Sequence, residues 1–171
     1  MMKAAFPGTF DPLTFGHIDI IERASSIFEE LLIVIAENRQ KKYLFSAEER
    51  KDMIVCATKK YKNVSVKICT TLIVDFLQNE GINVMVRGVR NVPDFFYESE
   101  LSMMNKVLSP RVETIFMMTR PEFLVLRSSS VRELASFRGN LSALVPPVVV
   151  DAIQEKLKGT SKSHSQQSCR S

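Results

Sequence analysis

The sequence predicts an α/β protein in which a five-stranded parallel sheet is doubly wound by helices on both faces. Two observations support this prediction. Short apolar runs alternate along the chain with segments of helical periodicity. One run, residues 31–36, is uninterrupted, which is typical of a strand buried on both faces of a parallel sheet. With 171 residues, the chain has the length of a single domain.

Strands are predicted from the apolar runs, and helices from periodicity and end signals. Ser46 with Glu49 three residues later forms a capping box, which opens a helix that runs to about Lys60. Gly81 is placed as the C-terminal stop of the next helix. The strand at 64–68 alternates and is placed nearer an edge of the sheet. The predicted strands are 4–6, 31–36, 64–68, 84–86 and 115–118, and the later helices are 72–80, 94–108, one from 128 and 148–157.

Composition narrows the class of protein. Hydrophobic residues make up 45% and charged residues 25%, which are ordinary values for a globular domain. No apolar run approaches about 18 residues, so no membrane association is expected. The three cysteines are scattered and no signal-peptide pattern begins the chain, so we expect a cytoplasmic protein without a disulfide framework or zinc site. A net charge of +4 suits an acidic ligand.

The stretch around residues 6–17 predicts an anion site. A turn containing Gly8 and Gly16 joins the first strand to a helix, and backbone N–H groups at such a place can face a phosphate. His17 stands at the predicted helix start, where an imidazole can donate hydrogen bonds to phosphate oxygens. An ordinary turn with a capped helix and a surface histidine explains the same pattern, so spacing alone leaves both interpretations open.

Three further segments carry cations or hydroxyls after predicted strands. Ligands of doubly wound proteins bind at the carboxyl ends of the strands, so all four segments are expected to converge on one rim of the sheet. Taken singly, the lysine pair could be a solvated loop and the serine run a helix cap. The four segments are residues 8–17, 41–42, 87–90 and 127–130.

The side chains of this rim predict phosphoryl or nucleotidyl transfer. They supply cations, hydroxyls and an imidazole, without an evident nucleophile–base pair. Such donors suit a reaction in which two phosphates are placed in line and the developing charge is stabilised. Asp11, before Pro12, is interpreted as structural, bonding local backbone N–H groups. Nucleic-acid binding is the alternative, and it is disfavoured because the cations cluster after strands.

Together these motifs closely resemble the bacterial phosphopantetheine adenylyltransferases, of the nucleotidyltransferase superfamily with a T/HxGH motif. The similarity extends from Lys3 to about Leu157. It implies a Rossmann-like nucleotidyltransferase fold that transfers the adenylyl group of ATP to 4′-phosphopantetheine. The products would be dephospho-coenzyme A and pyrophosphate. The matching motifs are residues 7–12, 14–17, 87–90 and 128–133, with further similarity at 41–42, 48–50 and 94–98.

The resemblance also implies the setting of the reaction. It would be the penultimate step of coenzyme A synthesis, by in-line attack without a covalent enzyme intermediate. Mg²⁺ would be used with ATP, by a cytoplasmic homohexamer with no nucleic-acid partner. Superfamily members acting on nicotinamide mononucleotide or glycerol phosphate are an alternative, and the arginine and serine motifs argue against them.

Roles follow from the resemblance residue by residue. His17 would contact the ATP phosphates and stabilise the transition state at the α-phosphorus. Thr9 would lie between ATP and the phosphopantetheine phosphate, with the Phe10 backbone beside it. The other implied catalytic residues are Lys41, Arg90 and Ser128, and no metal ligand is implied. Implied substrate contacts are Lys41, Ile73 and Arg87, and implied ATP contacts are Gly88, Val89, Arg90, Glu98, Phe123, Leu124, Val125, Leu126, Arg127, Ser128 and Ser129.

Two places depart from the family pattern, and the resemblance assigns no role to the C-terminal segment. Arg127 stands where many members have a small residue, so which of residues 128–130 meets a phosphate is open, with the first two preferred. Thr70 and Thr71 replace the glycine or aspartate that often precedes the pantetheine-side leucine. Residues 159–171 are polar and of low complexity, and we expect them to form a disordered tail to the adenylyltransferase domain of residues 1–158.

Overall fold

A computed structural model describes residues 2–38 and 40–165 of the protein, with side chains as far as residue 158. Five strands form one parallel sheet in the order β3-β2-β1-β4-β5. The predicted doubly wound α/β fold is therefore confirmed, and so is the edge position of β3. The strands are β1 Lys3–Gly8, β2 Glu30–Ala36, β3 Val64–Cys69, β4 Val84–Val89 and β5 Glu113–Met118.

Helices follow the strands and cover both faces of the sheet. The predicted capping box opens α2, where Ser46 Oγ accepts the N–H of Glu49 at 3.2 Å and Glu49 Oε2 accepts the N–H of Ser46 at 2.7 Å. This reciprocal pair satisfies two N–H groups that the helix leaves without a partner. The helices are α1 Phe15–Ile27, α2 Ala47–Thr58, α3 Ile73–Asn79, α4 Val92–Leu108, α5 Ser128–Ser136 and α6 Pro147–Ser165.

The sheet buries an apolar layer on each face because neighbouring residues of a strand point to opposite sides. On one face, Phe6 of β1 and Ile33 of β2 are register partners and pack with Ile20 of α1. On the other face, Ala5 and its partner Leu32 pack near α3. β1 and β2 are thus packed on both faces, so the turns that follow these strands begin at well-fixed positions.

β4 is longer than the sequence predicts. It continues past residue 86 to Val89, so Arg87 and Gly88 lie within the strand and not after it. The extra residues pair with β5 as far as Met118. Gly88 allows α1 to pack closely here, since a β-carbon at this position would lie 3.1 Å from Cγ1 of Ile20.

The C-terminal helix also extends beyond its predicted end near Leu157. α6 runs from Pro147 to Ser165, so the polar segment predicted as a tail begins as a continuation of this helix. A lone glycine at position 159 weakens a helix without ending it. Residues 166–171 lie outside the described residues, and the disorder of the tail stays a prediction. Across residues 2–38 and 40–165, no helix has the length and apolar character needed to span a membrane.

Candidate functional site

A cavity of about 660 Å³ opens at the carboxyl ends of the strands, where the strand order reverses between β1 and β4. All four predicted segments contribute to its walls, as the strand order requires. The sequence-predicted site residues that line it are Thr9, His17, Lys41, Ile73, Arg87, Gly88, Arg90, Glu98, Leu126, Arg127, Ser128 and Ser129.

The turn after β1 is shaped by Gly8 and Phe10. Phe10 has a φ of +49°, a left-handed conformation that few residues other than glycine adopt, and its side chain is fully buried. Its ring lies so close to Gly8 that a β-carbon there would come within 2.9 Å of Cζ. The ring also packs edge-on against the imidazole of His17, with centroids 5.0 Å apart. The side chain of Phe10 therefore supports His17.

His17 belongs to a reciprocal cap at the start of α1. The Oγ1 of Thr14 accepts the N–H of His17 at 3.4 Å, and Nδ1 of His17 accepts the N–H of Thr14 at 3.0 Å. Because Nδ1 acts as an acceptor, the proton of the neutral ring resides on Nε2. The imidazole is thus held in one orientation and one tautomer, with an N–H available to an anion in the cavity.

The charge state of His17 is also set by its surroundings. Burial lowers the pKa of the imidazole from 6.5 to about 4, and the positive charges of Arg90 and Arg87 act in the same direction. The ring is therefore neutral at physiological pH. It can donate one hydrogen bond to a phosphate without carrying a charge, and it remains neutral until the solution is distinctly acidic.

Arg87 and Glu98 form a bidentate ion pair across the cavity wall. Nε and Nη2 of Arg87 donate to the two carboxylate oxygens at 2.7 and 2.6 Å, and Nη1 donates to the carbonyl of Pro7. This contact joins β4, α4 and the end of β1. It holds the guanidinium in a fixed orientation beside the cavity.

Arg90 has a similar arrangement at the start of α4. Nε and Nη2 donate to the carboxylate of Asp94 at 2.8 and 3.0 Å, and Nη1 donates to the carbonyl of Leu126 at 3.4 Å. Burial alone would raise the pKa of Asp94, but hydrogen bonds and charge from Arg90, with Arg127 nearby, outweigh it and hold that pKa below its ordinary value. The carboxylate stays ionised, and Arg90 links α4 to the loop before α5.

Asp11 is structural, as predicted, but its partners are not local. Its buried carboxylate accepts the N–H groups of Leu44 and Phe45 at 2.9 and 3.0 Å, and these residues lie 33 and 34 positions along the chain. Nη1 of Arg132 on α5 donates to its backbone carbonyl and lies 3.4 Å from Oδ2. The prediction of local partners was wrong because the β2–α2 loop folds over the turn. One carboxylate thereby joins three walls of the cavity.

A buried arginine that the sequence analysis missed holds the β2–α2 loop. The side chain of Arg50 is completely inaccessible, and its Nη1 donates to the carbonyl of Thr9 at 2.8 Å. Its Nη2 lies 3.4 Å from Glu37, and the guanidinium stacks on Tyr43 at 4.3 Å from the ring centroid. Lys41 of this loop is exposed and lines the cavity. Arg50 lies in a polar stretch of α2, and nothing else in the sequence indicated that its side chain would be buried.

The N-terminus of α5 is open toward the cavity. Arg127 occupies the N-cap position without a side-chain hydrogen bond to the helix, so the first-turn N–H groups have no cap. The hydroxyl of Ser128 donates to the carbonyl of Pro12 at 2.8 Å, which attaches α5 to the turn after β1. Ser129 is exposed and lines the cavity.

The remaining predicted residues lie around this opening without lining the cavity. Val89 is buried within the sheet. Phe123 belongs to a short 3₁₀ turn, Pro121–Phe123, and packs over Gly16 at the start of α1. Leu124 and Val125 follow it, and Val125 is 86% exposed. These residues form the outer part of the loop between β5 and α5.

One face of α4 also lines the cavity and was not predicted. Leu101, Ser102 and Asn105 follow Glu98 at helical spacing on that face, and Tyr97 adjoins them. Arg132 of α5 lines the cavity as well. The spacing of three, four and seven residues from Glu98 was a signal that could have identified the helix face.

The described residues include no group of three His, Cys, Asp or Glu side chains able to hold a metal ion. Glu98, which lines the cavity, is paired with Arg87, and the nearby Asp94 is paired with Arg90. The donor set is therefore suited to anions, with cations, an imidazole N–H and an uncapped helix N-terminus facing the same space.

Comparison with known proteins agrees with this fold. The family model of cytidylyltransferase-like proteins matches residues 5–134. A solved structure of a candidate nicotinate-nucleotide adenylyltransferase from Vibrio parahaemolyticus superposes with a TM-score of 0.65 at 19% identity, covering 93% of each chain. At this identity the likeness concerns the fold alone.

Several proteins are more similar to this chain in sequence than that solved structure is. The phosphopantetheine adenylyltransferase of Heliobacterium modesticaldum is 44% identical over 160 residues, covering 94% of this chain and 95% of the relative. Those of Clostridium tetani and Clostridium perfringens are 44% and 40% identical, covering 91% and 92% of this chain and 98% and 96% of their own lengths. Such identity over nearly whole chains extends well beyond the site motifs. The chain belongs to the phosphopantetheine adenylyltransferase family, whose members are nucleotidyltransferase enzymes.

Proposed function

We propose that this enzyme transfers the adenylyl group of ATP to 4′-phosphopantetheine. An oxygen of the acceptor phosphate attacks the α-phosphorus, the bond from that phosphorus to the β-phosphate bridging oxygen breaks, and pyrophosphate leaves. Dephospho-coenzyme A is the other product. The observation that carries this proposal is the convergence of a neutral His17 with Lys41, Arg87 and Arg90 around one cavity.

The chemistry needs no general base because the attacking phosphate is already an anion. What it needs is a means of bringing two anions together and of stabilising the charge that builds up at the α-phosphorus. The Nε2–H of His17, fixed by the Thr14 cap, is the donor assigned to that charge. The cations of the cavity offset the repulsion between the substrates. Attack is in line, without a covalent enzyme intermediate.

The cavity divides into two sides around Thr9. Lys41 and Arg87 hold the acceptor phosphate, and Ile73 lines the pantetheine arm. The lining face of α4, with Ser102 and Asn105, extends this side with polar groups that suit the amides of the arm.

On the other side, the ATP phosphates meet His17, Arg90 and the uncapped N-terminus of α5, where Ser128 and Ser129 are placed. Gly88, Glu98 and the loop before α5 complete the nucleotide side. Mg²⁺ enters with ATP as part of the substrate, since phosphate oxygens are ligands that this ion prefers.

We also propose a homohexamer: the family resemblance implies six copies, and the exposed apolar residues of α4 support association between copies. None of the 17 residues of this helix is buried, although many are apolar. A single chain leaves this face open, and burial against a second copy removes it from water. Light scattering of Val107→Glu, at a position 81% exposed, is expected to show smaller assemblies than the wild type. A monomeric wild type would contradict the proposal. The exposed apolar residues are Val92, Phe95, Phe96, Tyr97, Met103, Met104, Val107 and Leu108.

The reaction is tested by pyrophosphate release from MgATP with three separate acceptors: 4′-phosphopantetheine, nicotinamide mononucleotide and glycerol 3-phosphate. Release with phosphopantetheine alone is expected, and mass spectrometry should identify dephospho-coenzyme A. This product would also place the enzyme at the penultimate step of coenzyme A synthesis, a step that we propose takes place in the cytoplasm. Release with another acceptor would leave the proposed ATP contacts standing and would contradict the acceptor roles of Lys41, Ile73 and Arg87.

A further inference from the structure

Asp19 is a buried carboxylate that lies outside the cavity lining. It belongs to α1, two residues after His17, and its side chain is completely inaccessible. Oδ2 accepts the backbone N–H of Arg120 at 3.0 Å and Nη1 of Arg23 at 3.1 Å. Oδ1 lies 3.1 Å from Nε of Arg120. Burying a carboxylate is costly unless charged partners compensate for its desolvation, and Arg23 and Arg120 supply that compensation here.

These contacts fix the start of the loop between β5 and α5. Nη1 of Arg23 also donates to the carbonyl of Met118, the last residue of β5, at 2.6 Å. Arg120 follows two residues later and is held by a backbone hydrogen bond to Oδ2 and by an ion pair of its side chain with Oδ1, which accepts no hydrogen bond from the described residues. Residues of α1 therefore hold the chain in place at the point where the chain leaves the sheet after β5.

The loop beyond Arg120 forms one wall of the nucleotide side. Phe123 packs over Gly16, the carbonyl of Leu126 accepts a hydrogen bond from Arg90, and Arg127 occupies the N-cap position of α5. A shift at Arg120 would be passed along seven residues to the open helix N-terminus. The β2–α2 loop, with Lys41, is held instead by Asp11 and Arg50.

We propose that Asp19 is a positioning residue for ATP, which acts through Arg23 and Arg120 on the β5–α5 loop. The assignment of this loop to ATP rests on the proposed function. Asp19 does not contact substrate; it sets the position of groups that do. Its loss should weaken ATP binding and leave the phosphopantetheine side nearly unchanged, because Asp19 contacts Arg23 and Arg120, whereas Asp11 and Arg50 hold the β2–α2 loop.

The test is calorimetric titration of MgATP into the wild type, Asp19→Asn and Arg120→Gln, followed by steady-state kinetics with both substrates. Asp19→Asn should raise the ATP Kd and KM about tenfold, a change typical of losing a hydrogen bond to a charged group. Arg120→Gln, at a side chain 47% exposed, keeps the backbone contact and should raise both about threefold. The KM for phosphopantetheine should stay within about twofold.

Glu22→Gln is the matched control, because it removes one negative charge from the same helix at a residue without a contact to the loop among the described residues. It should match the wild type in ATP binding. If Asp19→Asn fails to fold, Arg120→Gln alone decides the question. ATP affinity within twofold of the wild type in the variants that fold, or equal increases in both KM values, would overturn the role of Asp19. A wild type that binds ATP but is inactive with phosphopantetheine would contradict the proposed function instead.

Discussion

The two helix N-termini at the cavity, those of α1 and α5, are built in opposite ways. α1 is closed by its own residues, because Thr14 and His17 cap each other through side chain and backbone. α5 begins without a side-chain cap, behind Arg127. Helix N-termini attract anions in general, but only a terminus with unsatisfied N–H groups can offer them to a ligand.

This difference indicates that the two helix N-termini have separate roles in the site. At α1 the helix end serves to fix one imidazole, its tautomer and its neutral state. At α5 the helix end itself is the group that we propose binds phosphate, and Ser128 and Ser129 of its first turn line the cavity. We therefore expect changes at α1 to affect turnover, and changes at α5 to affect ATP affinity.

The largest expected effect is that of His17→Ala. Removing one donor to the transition state should lower kcat by about 10²–10³-fold, with ATP affinity nearly retained. The measurement is pyrophosphate release under saturating substrates, with circular dichroism to confirm folding. A folded His17→Ala enzyme with near-wild-type turnover would show that the imidazole is not the catalytic donor.

Closing the open helix end should have the next largest effect. Arg127→Asp places a capping carboxylate at the N-terminus of α5, whereas Arg127→Ala removes the same cation without adding a cap. Relative to alanine, aspartate should stabilise the fold by about 1 kcal/mol and weaken ATP binding about tenfold, because its charge competes with phosphate. Urea unfolding and ATP titration measure the two quantities. Equal ATP affinity in the two variants would contradict an open N-terminus as the phosphate site.

Removing the cap of α1 should affect stability more than catalysis. Thr14→Ala loses the Oγ1 contacts with the N–H of His17 and with its Nδ1, 3.1 Å away, but retains the backbone N–H of residue 14 that orients the ring. The free energy of unfolding should fall by about 1 kcal/mol, or about 2–4 °C in Tm for a chain of this size. Thr14→Ser should recover most of the loss in a calorimetric scan. A collapse of turnover in a folded Thr14→Ala would mean that the side-chain hydroxyl also orients the ring.

The smallest effect is that of pH. Since the pKa of His17 is lowered to about 4, the ring should not titrate near 6.5, and kcat should change less than about twofold between pH 6 and 8 on its account. Between pH 4 and 6.5 the unfolded chain binds more protons at this residue, so its contribution to stability is lost as pH falls through that range. The difference in unfolding free energy between wild type and His17→Gln should therefore shrink from pH 7 to pH 5. A constant difference would contradict a lowered pKa of His17 in the folded protein.

Most of the fold followed from local patterns in the sequence. The uninterrupted run at β2 and the capping box at Ser46 predict elements that the structure contains. The end of β4 did not follow, because Arg87 is a polar residue in a strand and its pairing with β5 is a property of the sheet. α6 is longer than predicted, because a polar sequence carries no signal for the residue at which a helix ends.

For the site, the convergence of segments was predictable and their mutual contacts were not. Strand order places His17, Lys41 and Arg87 on one rim whatever the side-chain details. The partners of Asp11 and the burial of Arg50 depend on how the β2–α2 loop folds over the turn, over 30 residues away in sequence. Such contacts leave no periodic signal, so they emerge only from the tertiary structure.

The separate roles of the two helix N-termini are tested most directly by equilibrium titration of MgATP into His17→Ala and Arg127→Asp side by side, with the wild type as reference. We predict that His17→Ala binds ATP within about threefold of the wild type, whereas Arg127→Asp loses at least about tenfold. The opposite ranking would place ground-state phosphate binding at α1 and contradict the account.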